Sequence, residues 1–561
     1  MNKKVAIGME YAILKTSAIL LFSLLFLTYF NYPCYAANLD DLYKPILKDN
    51  RYLYEGNFYY FREREKGVHG EIEYDEFDSS VYFYHLNNSL RYSPTPCLEL
   101  AIGIKETFPA TYERLTYDAS GNLTTTQDYD LDYFRDYKLN IRMRSQNVEL
   151  FLDILEKRQK SHWNYASLPN PPNYFSYIQT HYEDIDLGLR YLSEIQDPVH
   201  KTNLSKLRRP LLQDNQTNIE AELEYKNGKL KRTSHYNVNG RQIYNFSHNL
   251  KPHLSNKIIL RYGLDNNLEL ESGIFYTTPF KYEYGYRLFY PDGTSNFITG
   301  EYKLKHNFYF PFNLRYRLKD NVAFSLSSDF NFINQRLDYW QKNKDDTITS
   351  YPTKKLNYYN TKPTLRLTYL YDEDKDIKDD EFSSLTKKML LKNQFLIEFL
   401  YQRDITHLSK NLSNGPQNII DPYNVFLYPL EYFVVGSEYA AFFCGNTSRF
   451  ATNVMPQNYN LLQTNFIYGL SDSINLGLIF GYRSGSRLHH FTLNDLARRA
   501  YKFRYNLFFD FLFDWRLTKN SLLSLTTHFV PNYTTLFEGY SEEFKSKNKY
   551  LGVSLNIQIL F

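Results

Sequence analysis

The last eleven residues alternate almost without error. Leu551, Val553, Leu555, Ile557, Ile559 and Phe561 are apolar, whereas Gly552, Ser554, Asn556 and Gln558 are small or polar; Leu560 alone breaks the rule. Successive side chains of a β-strand point to opposite faces, so this segment has one greasy face and one wet face. Longer stripes lie upstream. Tyr501, Phe503, Tyr505, Leu507, Phe509, Phe511 and Phe513 alternate with Lys502, Arg504, Asn506, Asp510 and Asp514 among others. Tyr302, Leu304, His306, Phe308, Phe310, Phe312 and Leu314 alternate with Lys303, Lys305, Asn307, Asn313 and Arg315. A strand of a soluble sandwich runs about five or six residues. A tilted strand needs about 9–11 to cross a bilayer. These stripes meet the second length and carry charge on their other face.

A hairpin pattern recurs between the stripes. Tyr262-Gly263-Leu264 leads through Asp265-Asn266-Asn267 to Leu268 and Leu270. Tyr316-Arg317-Leu318 leads through Lys319-Asp320-Asn321 to Val322 and Phe324, and Tyr468-Gly469-Leu470 through Ser471-Asp472-Ser473 to Ile474 and Leu476. Trp515-Arg516-Leu517 and Tyr92-Ser93-Pro94 open similar turns. The turn residues suit tight hairpins. Parity is preserved across each turn, so the apolar face stays on one side, as a lipid-facing wall requires. The 54 Tyr and 42 Phe fit such a wall, where aromatic residues belt the interfaces. A mean hydropathy of −0.53 is no objection, since only alternate residues meet lipid. No apolar run long enough for a transmembrane helix follows residue 36. The net charge of +3 comes without a Lys/Arg block, so no nucleic-acid partner is indicated.

The terminal Phe561, with Ile559, Ile557 and Leu555 at two-residue steps before it, resembles the assembly signal of Gram-negative outer-membrane β-barrels. The short aromatic-led turns resemble the periplasmic turns of porin-like barrels. The resemblance covers nearly the whole chain after residue 36. It implies residence in the outer-membrane bilayer and delivery by a barrel-assembly machinery that reads the C-terminal strand. The N-terminus agrees: Lys3, Lys4 and Lys15 precede an apolar run from Ala18 to Phe30, and Cys34-Tyr35-Ala36 offers small residues for a signal peptidase. The expected organisation is a signal peptide over 1–36, a short periplasmic segment over 37–55 and an all-β transmembrane antiparallel up-and-down barrel over 56–561.

Strands are expected near 80–94, 97–115, 128–144, 148–163, 176–193, 217–236, 242–264, 268–290, 298–318, 322–338, 356–372, 390–407, 460–470, 474–485, 501–517, 521–535 and 548–561, with one more in 56–76. That is about 18, within a range of 14–20, and an even count returns both termini to the periplasm. The segment 148–163 also reads as a helix. Lys226-Asn227-Gly228-Lys229 interrupts 217–236, and 418–445 has room for a further hairpin. The long connections, including 408–459, fall outside the cell, except 194–216 and 373–389. Residues 39–50 are able to tuck into the lumen. Cys34 leaves with the signal. On this topology Cys97 and Cys444 lie a membrane apart, too far for a disulfide, so they are expected not to pair.

Site chemistry is sparse. Asp372-Glu373-Asp374-Lys375-Asp376 lacks the glycine and distal Glu of a calcium loop, and adjacent His489 and His490 point to opposite faces of a strand. Asp404, His407 and Ser409 read as rim residues with no identifiable third catalytic group. No catalytic residue, metal ligand or cofactor is assigned, and the chain is not expected to be an enzyme. Barrels of 16–18 strands usually leave an aqueous channel. The function expected is therefore porin-like diffusion of small hydrophilic solutes. Lys257, Arg261, Lys303, Lys305, Arg315, Arg317, Arg504 and Arg516 line the lumen, with Glu269, Glu271, Asp510 and Asp514 on the same face. The alternatives are a substrate-specific or lipid-substrate transporter with a loop-closed lumen, or a plugged barrel serving as surface enzyme or scaffold. Oligomeric state is not legible.

Overall fold

The computed structural model describes residues 45–561 except 70–74, 109, 119, 146, 168–173, 194–201, 208, 238–240, 251, 290–294, 343–346, 351–353, 372–375, 378–379, 412–458, 485, 492–497 and 539–542. Eighteen antiparallel strands of the described residues close into a barrel. In chain order they are β1 (Arg51–His69), β2 (Asp75–Thr95), β3 (Leu98–Thr107, continued by Ala110–Tyr117), β4 (Leu123–Ser145), β5 (Val148–Ser167) and β6 (Tyr174–Leu192). A short helix, α1 (Asn203–Leu207), precedes β7 (Thr217–Asn237). Then come β8 (Arg241–Leu250 and His253–Asp265), β9 (Leu268–Thr277 and Phe280–Phe289), β10 (Ser295–Lys319), β11 (Val322–Lys342) and β12 (Ile348–Ser350, Lys354–Thr361 and Thr364–Tyr371). A second short helix, α2 (Glu381–Leu385), leads to β13 (Phe395–Arg403 and Ile405–Asn411) and β14 (Asn460–Ser471). The barrel finishes with β15 (Ile474–Arg483 and Ser486–Phe491), β16 (Arg498–Thr518), β17 (Ser521–Glu538) and β18 (Glu543–Leu560). β18 pairs with β1 from Leu560↔Leu53 to Phe544↔His69 and shuts the ring.

Closure answers the problem set by the period-two sequence. In lipid every backbone N–H and C=O needs a protein partner, and a closed barrel leaves no edge unpaired. The apolar stripes face outward: Ile102 is 59% exposed and Leu478 58%. Such exposure on a contiguous face marks a membrane-facing surface. Tyr52, Tyr92, Tyr262, Tyr316 and Trp515 stand on this face beside the short turns, where an interfacial aromatic belt belongs. The hairpins explain the retained parity. The β8–β9, β10–β11, β14–β15 and β16–β17 pairs each carry a register shift at the turn, an extra residue that keeps apolar positions on one side.

Each expected strand is present. The segment 148–163 is strand, not helix, and β7 runs unbroken through Lys226-Asn227-Gly228-Lys229, whose partners are Asp186, Ile185, Asp184 and Glu183. The first strand begins at Arg51, earlier than the expected 56. The hairpin considered in 418–445 lies outside the described residues. Cys97 is disulfide-bonded, whereas the sequence reading left it unpaired. The other two cysteines, Cys34 and Cys444, lie outside the described residues, and the expectation that Cys97 does not pair with Cys444 concerns one of them.

Two buried apolar clusters lie inside the ring, at the short-turn end. Leu47, Leu53, Phe382, Leu385, Met389, Leu522 and Leu560 form one cluster there. Leu204, Leu370, Ile377 and Leu390 form another. Both contain residues from the long connections, which the sequence reading left as two exceptions to the short-turn rule.

Candidate functional site

The described residues of three stretches lie against the inner wall at this end: those within 45–50, 202–216 and 376–394, here straps 1, 2 and 3. Each immediately precedes a strand, β1, β7 or β13, and so opens a run of six strands. Their last residues share one conformation. Asn50, Asn215 and Asn393 have φ of 55°, 59° and 68°, the left-handed region that Asn tolerates better than most residues. Each Asn N–H donates to the strand just before the next short turn: to Ser93 O (2.8 Å), Gly263 O (2.9 Å) and Gly469 O (2.8 Å). The hydroxyls of Tyr262 and Tyr468 reach Asn215 and Asn393 Oδ1 at 2.8 and 3.1 Å.

Three residues before each Asn sits a fully buried leucine, Leu47, Leu212 or Leu390. The wall holds its backbone. Leu47 N–H donates to Glu99 Oε2 (3.1 Å) and Leu212 N–H to Glu269 Oε2 (2.8 Å). Both carboxylates are themselves clamped. Arg91 and Arg142 contact Glu99 at 2.8 and 2.6 Å, and Arg261 and Arg315 contact Glu269 at 2.7 and 3.1 Å. The arginines also donate to strap carbonyls: Arg91 to Pro45 O, Arg261 to Pro210 O (2.7 Å) and Arg315 to Arg209 O. Glu99, Arg91, Glu269 and Arg261 are almost wholly buried. Breaking one member of such a buried pair costs about 3–5 kcal/mol, because it strands the partner's charge.

Strap 3 is attached differently. Ile467 stands where Arg91 and Arg261 stand in the other two runs, Asn475 replaces the Glu, and Asp514 replaces the second Arg. The Asn475 amide accepts from Leu390 N–H (2.9 Å) and donates to Leu390 O (3.0 Å). Lys387, 43% exposed, pairs with Asp514 at 2.5 Å. Neutral hydrogen bonds contribute about 1 kcal/mol, and Asp514, itself buried, also accepts from Ser524 Oγ (2.7 Å). At the α2 N-terminus Asp380 accepts from Ser383 N–H (2.8 Å) and meets Arg516 at 3.2 Å. Burial pushes the Asp380 carboxyl up, but Ser383 and the Arg516 guanidinium outweigh it and hold the group below its usual range. Strap 3 also touches both other straps. Lys48 pairs with Glu381 at 3.4 Å, Ile377 N–H donates to Asn203 Oδ1 (2.8 Å), and Lys206 pairs with Asp376 at 3.0 Å.

The lumen-lining residues expected from sequence are spread over this framework. Arg261, Arg315 and Glu269 form the strap 2 clamp. Glu271 pairs with Arg209 at 3.6 Å. Burial, reinforced by Arg261, pushes Arg209 down to about 10, so it is still charged at neutral pH. Lys257 contacts Glu220, and Asp510 contacts His528. Arg317 donates to Asn267 (2.8 Å), Arg516 reaches Asp380, and Asp514 takes Lys387. The side chains of Lys303, Lys305 and Arg504 lie outside the described residues, as do those of His407, Ser409, His489 and His490. Asp404 is buried near Lys362 (3.8 Å), and no cluster able to hold a metal occurs among the described residues. Leu555, Ile557 and Ile559 lie on the outer face of β18, and Phe561, just past its end, is exposed.

The straps themselves were missed by the sequence reading, although a signal was present. Residues 38–50 (NLDDLYKPILKDN) align without a gap on 203–215 (NLSKLRRPLLQDN) and 381–393 (EFSSLTKKMLLKN). Leu42, Leu47 and Asn50 recur in all three copies. The neighbouring turns repeat in step: Arg144, Arg317 and Arg516 N–H donate to Cys97, Asn267 and Ser473 O, and Leu192, Leu370 and Leu560 N–H donate to Asn147, Asn321 and Asn520 O. The barrel is thus three six-strand units, each opened by a strap.

Fold and surface define the class as a transmembrane β-barrel of the outer-membrane type. No protein-family model and no curated protein matches the chain. Solved barrels of similar form include the siderophore receptor PiuA from Acinetobacter baumannii, at 8% identity and TM-score 0.43, covering 91% of this chain and 82% of that one. The ferric citrate transporter FecA aligns at 7% identity and TM-score 0.39, covering 93% and 83%, and the P. putida toluene transporter TodX at 9% and 0.28, covering 92% and 91%. Likeness at this level says nothing of what the present barrel does.

Proposed function

We propose that this protein is an outer-membrane channel with a closed periplasmic mouth, admitting selected small hydrophilic solutes rather than conducting as an open porin. The straps carry the reading. Three segments docked on the inner wall at the short-turn end, two of them through buried ionic clamps, are an expensive way to build a hole meant to stay open. Between the straps and the opposite end the inward positions include hydrophilic side chains, among them Glu222, Glu224 and Lys226 on β7 and Asn465 and Gln463 on β14. A polar lumen above an obstructed mouth suits hydrophilic solutes that pass when a strap moves.

The test is planar-bilayer conductance of the purified full-length mature protein beside a variant in which residues 372–394 are replaced by an Asn-Gly turn. β12 and β13 pair directly, Tyr371 opposite Phe395, so a tight turn can join them. The expected result is little steady current for the native barrel and nanosiemens-scale steps for the variant. Large steady steps from the native protein would restore the porin reading. Silence from both folded proteins would leave a plugged scaffold.

A further inference from the structure

We propose that strap 3, residues 380–394, is the moving gate, while straps 1 and 2 are fixed parts of the wall. The proposal rests on the channel reading above. Three equivalent segments occupy equivalent places, so their attachments can be compared position by position. Straps 1 and 2 have a buried carboxylate on the leucine N–H and two arginines on that carboxylate. In unit 3 all three charged groups are changed, to Ile467, Asn475 and Asp514. What replaces them at these positions is one amide and one ion pair between the half-exposed Lys387 and the buried Asp514.

The rest of strap 3 is held by Arg516 on Asp380, Lys48 on Glu381, a Lys392 N–H bond to Asp472 and apolar contact. Phe382, Leu385 and Met389 pack against Leu53, Leu522 and Leu560 of the wall and against Leu47 of strap 1, while Leu390 joins Leu204 of strap 2. Apolar contacts are non-directional and tolerate sliding, whereas a buried clamp holds one geometry. Strap 3 is also the segment that touches both others, through Glu381 and Leu390. Its displacement separates all three. Moving strap 1 or strap 2 first would break the charge-assisted hydrogen bonds that join Leu47 or Leu212 to a buried carboxylate and the wall arginines to strap carbonyls.

The experiment is solute flux into proteoliposomes, with conductance in parallel. Lys387→Met and Asp514→Asn are each expected to raise the open fraction at least tenfold with little change in the heat needed to unfold the barrel. Glu99→Gln, at the equivalent latch of strap 1, is expected to lower that temperature without raising the open fraction. Lys387→Cys with Asp514→Cys, bridged by a short bis-thiol reagent, is expected to stop flux, and a cleavable bridge to restore it on cleavage. If the bridged protein conducts as well as the unbridged one, strap 3 is not the gate. If the variant lacking 372–394 also fails to conduct, the channel reading itself is wrong. Flux that responds to the bridge and to the latch variants, and not to Glu99→Gln, establishes the gate.

Discussion

The docking of the straps comes down to a few atoms. Gly263 and Gly469 stand where the strap crosses the wall, and an added Cβ would lie 1.9 Å from Gln213 O and 2.0 Å from Leu391 O. Both neighbours are backbone and cannot swing aside. Gly263→Ala is therefore expected to lift strap 2 and cost about 1–3 kcal/mol, as overpacking does. The temperature at which the barrel unfolds on unheated-versus-heated gels reads the loss; an unchanged temperature would show that the strap is not tightly seated. Cys97 gives a second prediction at this scale. Strap 1 docks its Leu47 N–H on Glu99, so the chain upstream of Pro45 begins beside Cys97. The eleven residues from Cys34 to Pro45 reach at most about 40 Å. Residues 412–459 join the wall only at strand ends remote from this turn. A digest without reduction is expected to yield a Cys34–Cys97 peptide, which moves the signal cut upstream of Cys34 rather than after Ala36. A Cys97–Cys444 peptide would instead bring the outer connection down the lumen.

At the scale of elements, the strands were legible because one period governs them. A lipid-facing stripe opposite a wet one leaves a single register for each strand, so even β7, with a turn-like Asn227-Gly228, stays extended along its unbroken ladder with β6. The helix alternative for 148–163 fails because Glu149, Phe151 and Asp153 share the lumen face while Leu150, Leu152 and Ile154 share the other, a separation that only a strand gives. The straps were not legible in this way. They are short, have no periodicity, and repeat at intervals too long for local pattern; their signal is the three-copy alignment ending in Asn50, Asn215 and Asn393. The helix α2 adds a pH prediction. Its capping Asp380 is held below the usual carboxylate range, so the ionised form contributes stability present in full above the ordinary Asp pKa of about 3.9. That stability is lost as pH falls through the depressed value. Protease sensitivity of strap 3 is thus expected to stay flat from pH 8 to 5 and rise only in stronger acid, and Asp380→Ala to show the raised level at every pH. A rise already complete by pH 5 would point to some other group.

For the whole molecule the decisive joint is the one between its ends. Phe561 N–H donates to Tyr52 O (2.8 Å) and Tyr52 N–H to Phe561 O (3.3 Å), so the last residue ties the ring to the strand that strap 1 introduces. Leu560, beside it, faces inward and packs with Leu47, Phe382 and Leu385 of straps 1 and 3. Barrel closure and mouth closure therefore meet at one seam. Phe561 itself points outward and is 61% exposed, so packing within the protein does not account for an aromatic residue there. If it serves as the assembly signal that its resemblance implies, deletion of Phe561 should act on delivery more than on the finished fold. The expected outcome is a several-fold lower level of heat-modifiable barrel in outer membranes of expressing cells, with refolding from urea into detergent nearly unchanged, since only the bonds to Tyr52 are lost. Leu560→Ala should behave in the opposite sense. It removes a buried side chain from the seam, at about 2–5 kcal/mol, and so lowers stability in detergent while leaving the aromatic terminus in place. Equal loss in both assays for both variants would mean that the terminal residue is structural only.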